Sequence, residues 1–173
     1  MVGGVIPGNF MPAIGKGFAE RINKGVIAGY PVQDVCVEVH FGKHHPVDSS
    51  EAAFKMAAKH AFKEVFEKAR PSLLEPVVKV EVTVPEEKVG DVYSDMSSRG
   101  GRVSGSDPAG GSFTTIFCEV PLREVTTYSR TLSSMTGGMG SFTMEFSHYD
   151  AMPANVQHDL ISSSSTMDEV EDH

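Results

Sequence analysis

His40, His44 and His45, with Asp48 close behind, form the densest set of side chains able to do chemistry in this 173-residue chain. Imidazoles beside a carboxylate can ligate a metal, move a proton or contact a polar partner. A zinc site needs four ligands at supportive spacing, and neither CxxC nor HExxH occurs, so no metal site is expected. The glycine-rich stretches Arg99–Arg102 and Thr136–Gly140 invite a phosphate-binding reading, but neither fits GxxxxGK[ST] between a strand and a helix. Both read better as turns. No Ser/His/Asp or Cys/His arrangement has support from spacing, so no catalytic residue is assigned. As loop residues, the adjacent histidines are either ordinary solvated side chains or a contact surface.

The elements around them argue that they are held in place. In AGYPVQDVCVEVHF, Val35, Val37 and Val39 alternate with Cys36, Glu38 and His40, the pattern of a half-buried strand. GKHHPVDSSE, Gly42 to Glu51, then forms a loop leading to a helix. Asp48 stands three residues before Glu51, a capping-box spacing. The helix is expected over about 49–70, with Phe54, Ala58, Phe62 and Val65 on one stripe. Ahead of this, Phe10, Ile14, Phe18 and Ile22 recur every four residues, and Gly25 suits the end of that helix.

Composition describes an ordinary globular chain, 40% hydrophobic with no Trp. No run approaches a membrane span and no signal peptide is legible. Cys36 and Cys118 are expected as buried, reduced thiols, in keeping with a cytoplasmic protein. The net charge of −8 is unevenly spread. Residues 1–75 carry nine Lys/Arg against eight Asp/Glu, residues 76–155 six against ten, and residues 156–173 none against five. The acidity of the tail therefore does not exclude nucleic-acid contact by the first segment.

Past Pro71, Val78, Val80, Val82 and Val84 alternate with Lys79, Glu81 and Thr83 as a strand. Pro85-Glu86-Glu87 opens a helix to about Ser98, followed by a short strand at Arg102–Ser106 and a turn cluster at Asp107–Gly111. Thr114, Ile116, Cys118 and Val120 mark a third strand, Pro121 opens a helix to about Ser134, and Phe142, Met144, Phe146 and His148 share one face of a fourth. The order β–α–β–β–α–β predicts an α+β, ferredoxin-like domain with an antiparallel sheet. Phe113 and Phe117 on its open face admit an RNA-recognition reading. Glu81 and Glu119 beside them favour packing against a neighbouring domain instead. The segment from about 156 onward is expected to be disordered, although a short helix at about Pro153–Leu160 is compatible with it.

Two stretches carry a family resemblance. AGYPVQDVCVEVHFGKHHPVDSSEAAFKMAAKHAFKE resembles the C-terminal half of domain IV of elongation factor G, the ribosomal translocase GTPase. LLEPVVKVEVTVPEEKVGDVYSDMSSRGGRV and VPLREVTTYSRTLSSMTGGMGSFTMEFSHYDAMP resemble its domain V. VDSSE, AFK, LLEP, VEVTVPEE, GDV, VPL and FSHY occur in the family's order, and the resemblance covers about residues 3–160. It implies a partial ribosomal-protein-S5-like βα domain over 1–75, a ferredoxin-like domain over 76–155 and an acidic tail over 156–173. It also implies that the first part of domain IV, with its strands, lies outside this sequence.

The resemblance further implies contact with the ribosome, tRNA and mRNA, and neither membrane nor DNA as a partner. Domain IV would reach the small-subunit decoding centre through a tip loop of Gly42, Lys43, His44 and His45, with His45 at the family's histidine position. Domain V would lie near the large-subunit GTPase-associated region, presenting Arg99, Arg102, Gly138 and Gly140 to rRNA. GTP and Mg would belong to an N-terminal domain absent here, so this chain needs no cofactor and is not itself an enzyme. The chain departs from the family at Phe41 and Pro46, where acids are usual, at Gly100 and Ser133, where Arg is usual, and at Met139 in the family's GRG turn. Fewer cations weaken phosphate contacts. This suggests a divergent paralogue acting in translocation, in recycling or in ribosomal protection. A stand-alone RNA-binding or interaction module is the reading from another class.

Overall fold

The computed structural model describes residues 6–168. The chain divides into two compact units, one comprising residues up to Leu73 and from Pro153, the other Leu74–Met152.

In the first unit, a 3-10 turn at Gly8–Phe10 leads into α1 (Met11–Lys24), which packs on α2 (Glu51–Lys68). Of the four-residue stripe, Ile14 is buried and Phe10, Phe18 and Ile22 are half buried, with Ala13 and Gly17 buried beside them and Gly17 lying against Ala58 of α2. Phe10 meets Phe54 at 4.7 Å and Phe18 meets Phe62 at 6.2 Å between ring centroids. Val65 does not join this stripe. It is 67% exposed, and Phe66 stacks on Phe62 instead. Glu20 of α1 is bonded to Lys55 and Lys59 of α2, and those bonds lower its carboxyl pKa. The helix cap falls two residues later than the spacing suggests. Ser50, not Asp48, accepts a bond from the Ala53 amide at 3.1 Å, because an N-cap oxygen reaches the amide three residues on and the helix begins at Glu51.

The strand expected over 35–39 does not form. Val35 and Val37 are exposed, and Asp34 sits at φ +56°, outside extended backbone. Alternation sets which face a strand would bury, but a strand persists only when a neighbouring backbone pairs with it. Among the described residues, none pairs with this segment. Cys36 is therefore exposed rather than buried.

The second unit runs β1 (Leu74–Pro85), α3 (Val89–Ser98), β2 (Arg102–Gly110), β3 (Phe113–Pro121), α4 (Leu122–Val125), α5 (Tyr128–Thr136) and β4 (Ser141–Ala151). The sheet order is β2-β3-β1-β4, with every pairing antiparallel, the ferredoxin-like arrangement. Val78, Val80, Val82 and Val84 pack with Ile116, Cys118 and Val120 beneath Val92, Met96, Val125, Tyr128 and Leu132. Each fully buried aliphatic side chain contributes on the order of 2 kcal/mol.

Three boundaries differ from expectation. β2 continues through Pro108 with two register shifts, so the turn lies at Gly111-Ser112. The helix after Pro121 is broken into α4 and α5 around Thr127. In β4, Phe142, Met144 and Phe146 pair with Val82, Val80 and Val78, but a bulge at Ser147 sets His148 opposite Val77. His148 therefore faces away from Phe146, and Ser147 bonds both His148 Nδ1 and Glu119. Met144 and Phe146 stay about half exposed, at 49% and 54%.

Where disorder is expected from about 156, α6 (Ala154–Asp168) is helical. Val156, Gln157, Leu160, Ile161 and Ser164 are half buried, a helical period whose apolar part is short. The amide of Leu73 donates to Gln157 Oε1 at 3.4 Å. The remaining tail residues, 169–173, lie outside the described residues.

Burial pushes the Cys118 thiol up to about 11, from an ordinary value of 9.0. A maleimide at neutral pH should label one thiol, Cys36, in the native chain and both in denaturant, as read by intact mass. The sign of the shift also gives a pH effect. Unfolded Cys118 ionises near 9 and folded Cys118 near 11, so raising pH through that window favours unfolding.

Candidate functional site

The loop between the expected strand and α2 is built by alternation. Gly42 and His44 are half buried, whereas Lys43 and His45 are exposed. Ser49 closes the loop. Its hydroxyl accepts from the His45 amide at 2.9 Å, and its own amide donates to the His45 carbonyl at 3.1 Å. The imidazole of His44 lies 5.8 Å from the Phe10 ring. Of these four residues, Lys43 and His45 are thus the two exposed to solvent. His40 pairs with Glu38 at the surface, at 3.3 Å. Among the described residues, no three His, Cys, Asp or Glu side chains are grouped to hold a metal ion.

The four residues expected to face rRNA in the second unit fare differently. Arg102 is 79% exposed and only loosely paired with Glu119, at 3.5 Å. Arg99 turns inward and is 16% exposed. Its Nε donates to Asp95 at 2.8 Å, Nη1 to the Glu124 carbonyl at 2.6 Å and Nη2 to Thr131 at 3.1 Å, and its guanidinium lies over the Tyr128 ring. All three nitrogens are therefore engaged within the domain, and the side chain is mostly buried rather than offered to a phosphate. The break between α4 and α5 explains this role: it exposes the Glu124 carbonyl as an acceptor. Neither the break nor the inward turn is legible from the short spacing Arg99-Gly100-Gly101. Burial and the nearby Asp95 push the Tyr128 phenol up.

Gly138, at φ +85°, and Gly140, pressed against Thr136 and Leu132, shape the turn between α5 and β4. Gly138 donates to the Ser133 carbonyl, closing the end of the helix. Met139 between them is 55% exposed, so the tip of the turn is apolar rather than cationic. A second pair, buried on one side only, has no clear mark in the sequence: Glu75, only 7% exposed at its side chain, accepts from the partly exposed Arg123 at 2.7 Å. Its one signal is a lone acid in LLEP next to a strand, too common to single out.

Comparison with known proteins is consistent along the chain. The family model "Elongation factor G, domain IV" matches residues 1–70, and "Elongation factor G C-terminus" matches residues 72–160. An "Elongation factor G-like protein" of Thermotoga maritima is 50% identical over 161 residues, covering 93% of this chain and 24% of that relative. A crystal structure of a protein from Thermus thermophilus superposes with a TM-score of 0.81 at 42% identity, covering 95% of this chain and 25% of that one. The chain thus spans about a quarter of the length of these relatives. The matched segments place the chain in the class of translation elongation factor sequences. Within that class, the chain belongs to the elongation factor G family.

Proposed function

We propose that this chain is the ribosome-binding C-terminal region of an elongation-factor-G-like GTPase and promotes tRNA–mRNA movement. Its Gly42–Ser49 loop enters the decoding centre. The observation that carries this reading is the closed loop within the domain IV match, which exposes His45 and Lys43 while leaving Gly42 and His44 half buried. An exposed imidazole can stack on a base or donate to a phosphate, and Lys43 adds a salt-sensitive phosphate contact. GTP and Mg would act in a separate domain of the whole factor, so no step of nucleotide chemistry is routed through these residues.

The test uses the full-length factor in single-round translocation. His45→Ala is expected to slow tRNA–mRNA movement roughly tenfold, about 1.4 kcal/mol in barrier, with nucleotide binding off the ribosome unchanged. An unaltered rate would count against the tip role.

A second reading, a paralogue specialised for recycling or ribosomal protection, is favoured by the loop's chemistry. Phe41 is 74% exposed and Pro46 is also exposed at positions where the family usually has acids. The inward-facing Arg99 leaves the domain V turn region with fewer free cations. Normal recycling alongside absent translocation in the full-length factor would select this reading over the first.

A further inference from the structure

His44, the histidine that the resemblance passes over in favour of His45, has its own place in the loop. We propose that His44 is a positioning residue. Its imidazole seats the tip loop on the aromatic end of the α1–α2 pair, so that His45 projects outward at a fixed angle. This inference rests on the reading of His45 as the contacting residue.

Two contacts on one side of the loop, and a third beneath them, carry it. A Cβ on Gly42 would overlap Ile6 Cδ1, so the backbone there lies directly on that side chain, and any larger residue would have to displace it. Two residues on, His44 packs against Phe10, and Phe10 packs in turn on Phe54 of α2. Offset and tilted aromatic pairs at such separations are attractive beyond their burial. Gly42 and His44, both half buried, therefore form the inner row, and the exposed Lys43 and His45 the outer row. The Ser49 hydroxyl and amide then fix the His45 backbone from the C-terminal side.

What the position requires is a flat ring at 44 able to pack on Phe10. A loop otherwise without regular structure is held at Gly42, at His44 and at the Ser49 closure. Removing the middle point leaves the outer side chains tethered only at their ends. A contacting residue that must be ordered on arrival loses affinity and rate for that ordering.

The experiment compares His44→Ala, His44→Phe and His45→Ala in the full-length factor. Amide hydrogen exchange of the 42–50 peptide reads the packing directly, independently of activity. His44→Ala should speed it at least fivefold, and His44→Phe should return it to within about twofold of the parent. In single-round movement, His44→Ala should slow the rate as His45→Ala does, and His44→Phe should restore it. The His44→Ala/His45→Ala double variant should be no slower than His45→Ala alone, since residues acting as a unit are non-additive. Unchanged exchange in His44→Ala, failure of His44→Phe to restore it, or fully multiplicative rate losses would each overturn the proposal. If His45→Ala leaves movement intact, the tip-contact reading fails, while the exchange result still decides whether His44 seats the loop.

Discussion

Replacing Arg99 with alanine is expected to destabilise the Leu74–Met152 unit by about 3 kcal/mol. The change removes a nearly buried ion pair with Asp95 and leaves that carboxylate, 19% exposed, without its partner. It also strips the Glu124 carbonyl and the Thr131 hydroxyl of a charged donor and uncovers one face of Tyr128. Arg102→Ala is the control. It removes the same charge from an exposed side chain with one long contact, and should change stability by less than about 0.5 kcal/mol. With no Trp in the chain, urea unfolding is best followed by far-UV circular dichroism. Equal midpoints for the two variants would show that Arg99 does not brace the helices. In ribosome binding the order should reverse: Arg102→Ala should flatten the salt dependence in the full-length factor, because Arg102 is the one open to a phosphate.

Gly25→Ala is expected to have a comparable effect on the other unit, again about 3 kcal/mol. Gly25 ends α1 at φ +78°, ψ 173°, a region that side chains other than glycine scarcely enter, and its amide donates to the Arg21 carbonyl. An added Cβ would collide with the Tyr30 carbonyl oxygen, a backbone atom that cannot swing aside. Strain and overpacking thus act together. Gly29→Ala separates the two causes. Its φ is +70°, but nothing lies within 4 Å of the new methyl, so it should cost only about 1 to 2 kcal/mol. Thermal unfolding of both variants, with amide exchange along α1, distinguishes the cases. Equal losses would mean that the carbonyl contact is immaterial.

These residues also show where sequence reading succeeds and where it stops. The ferredoxin-like sheet was legible because Val78 to Val84 alternate without interruption and each neighbouring element has its own start or stop residue. The Gly25 helix end was legible for the same reason: a local conformation demands a particular residue type. The strand over 35–39 misled, because alternation specifies a face and says nothing about whether a partner is present. The bulge at Ser147 inserts one residue and flips His148 without any local signature. Arg99 looked like a free loop cation because its partners, Glu124 and Thr131, are 25 and 32 residues away. At the tip loop, residue types pointed to both His44 and His45 and the family resemblance singled out His45, but the inner and outer rows became visible only once Ile6, Phe10 and Phe54 were placed beneath them.

The division of the chain has a consequence for its synthesis. The first unit is discontinuous, built from residues up to Leu73 and again from Pro153, with the second unit inserted between. Leu74 and Ala151 are paired neighbours at the ends of β1 and β4, so the folded insertion returns the chain to nearly the point from which it left. To the first unit, a 79-residue excursion then costs little more loop entropy than a short turn, once the insertion has folded. On a growing chain, the contiguous unit can therefore finish first, and α6, emerging after it, closes the unit that began earlier.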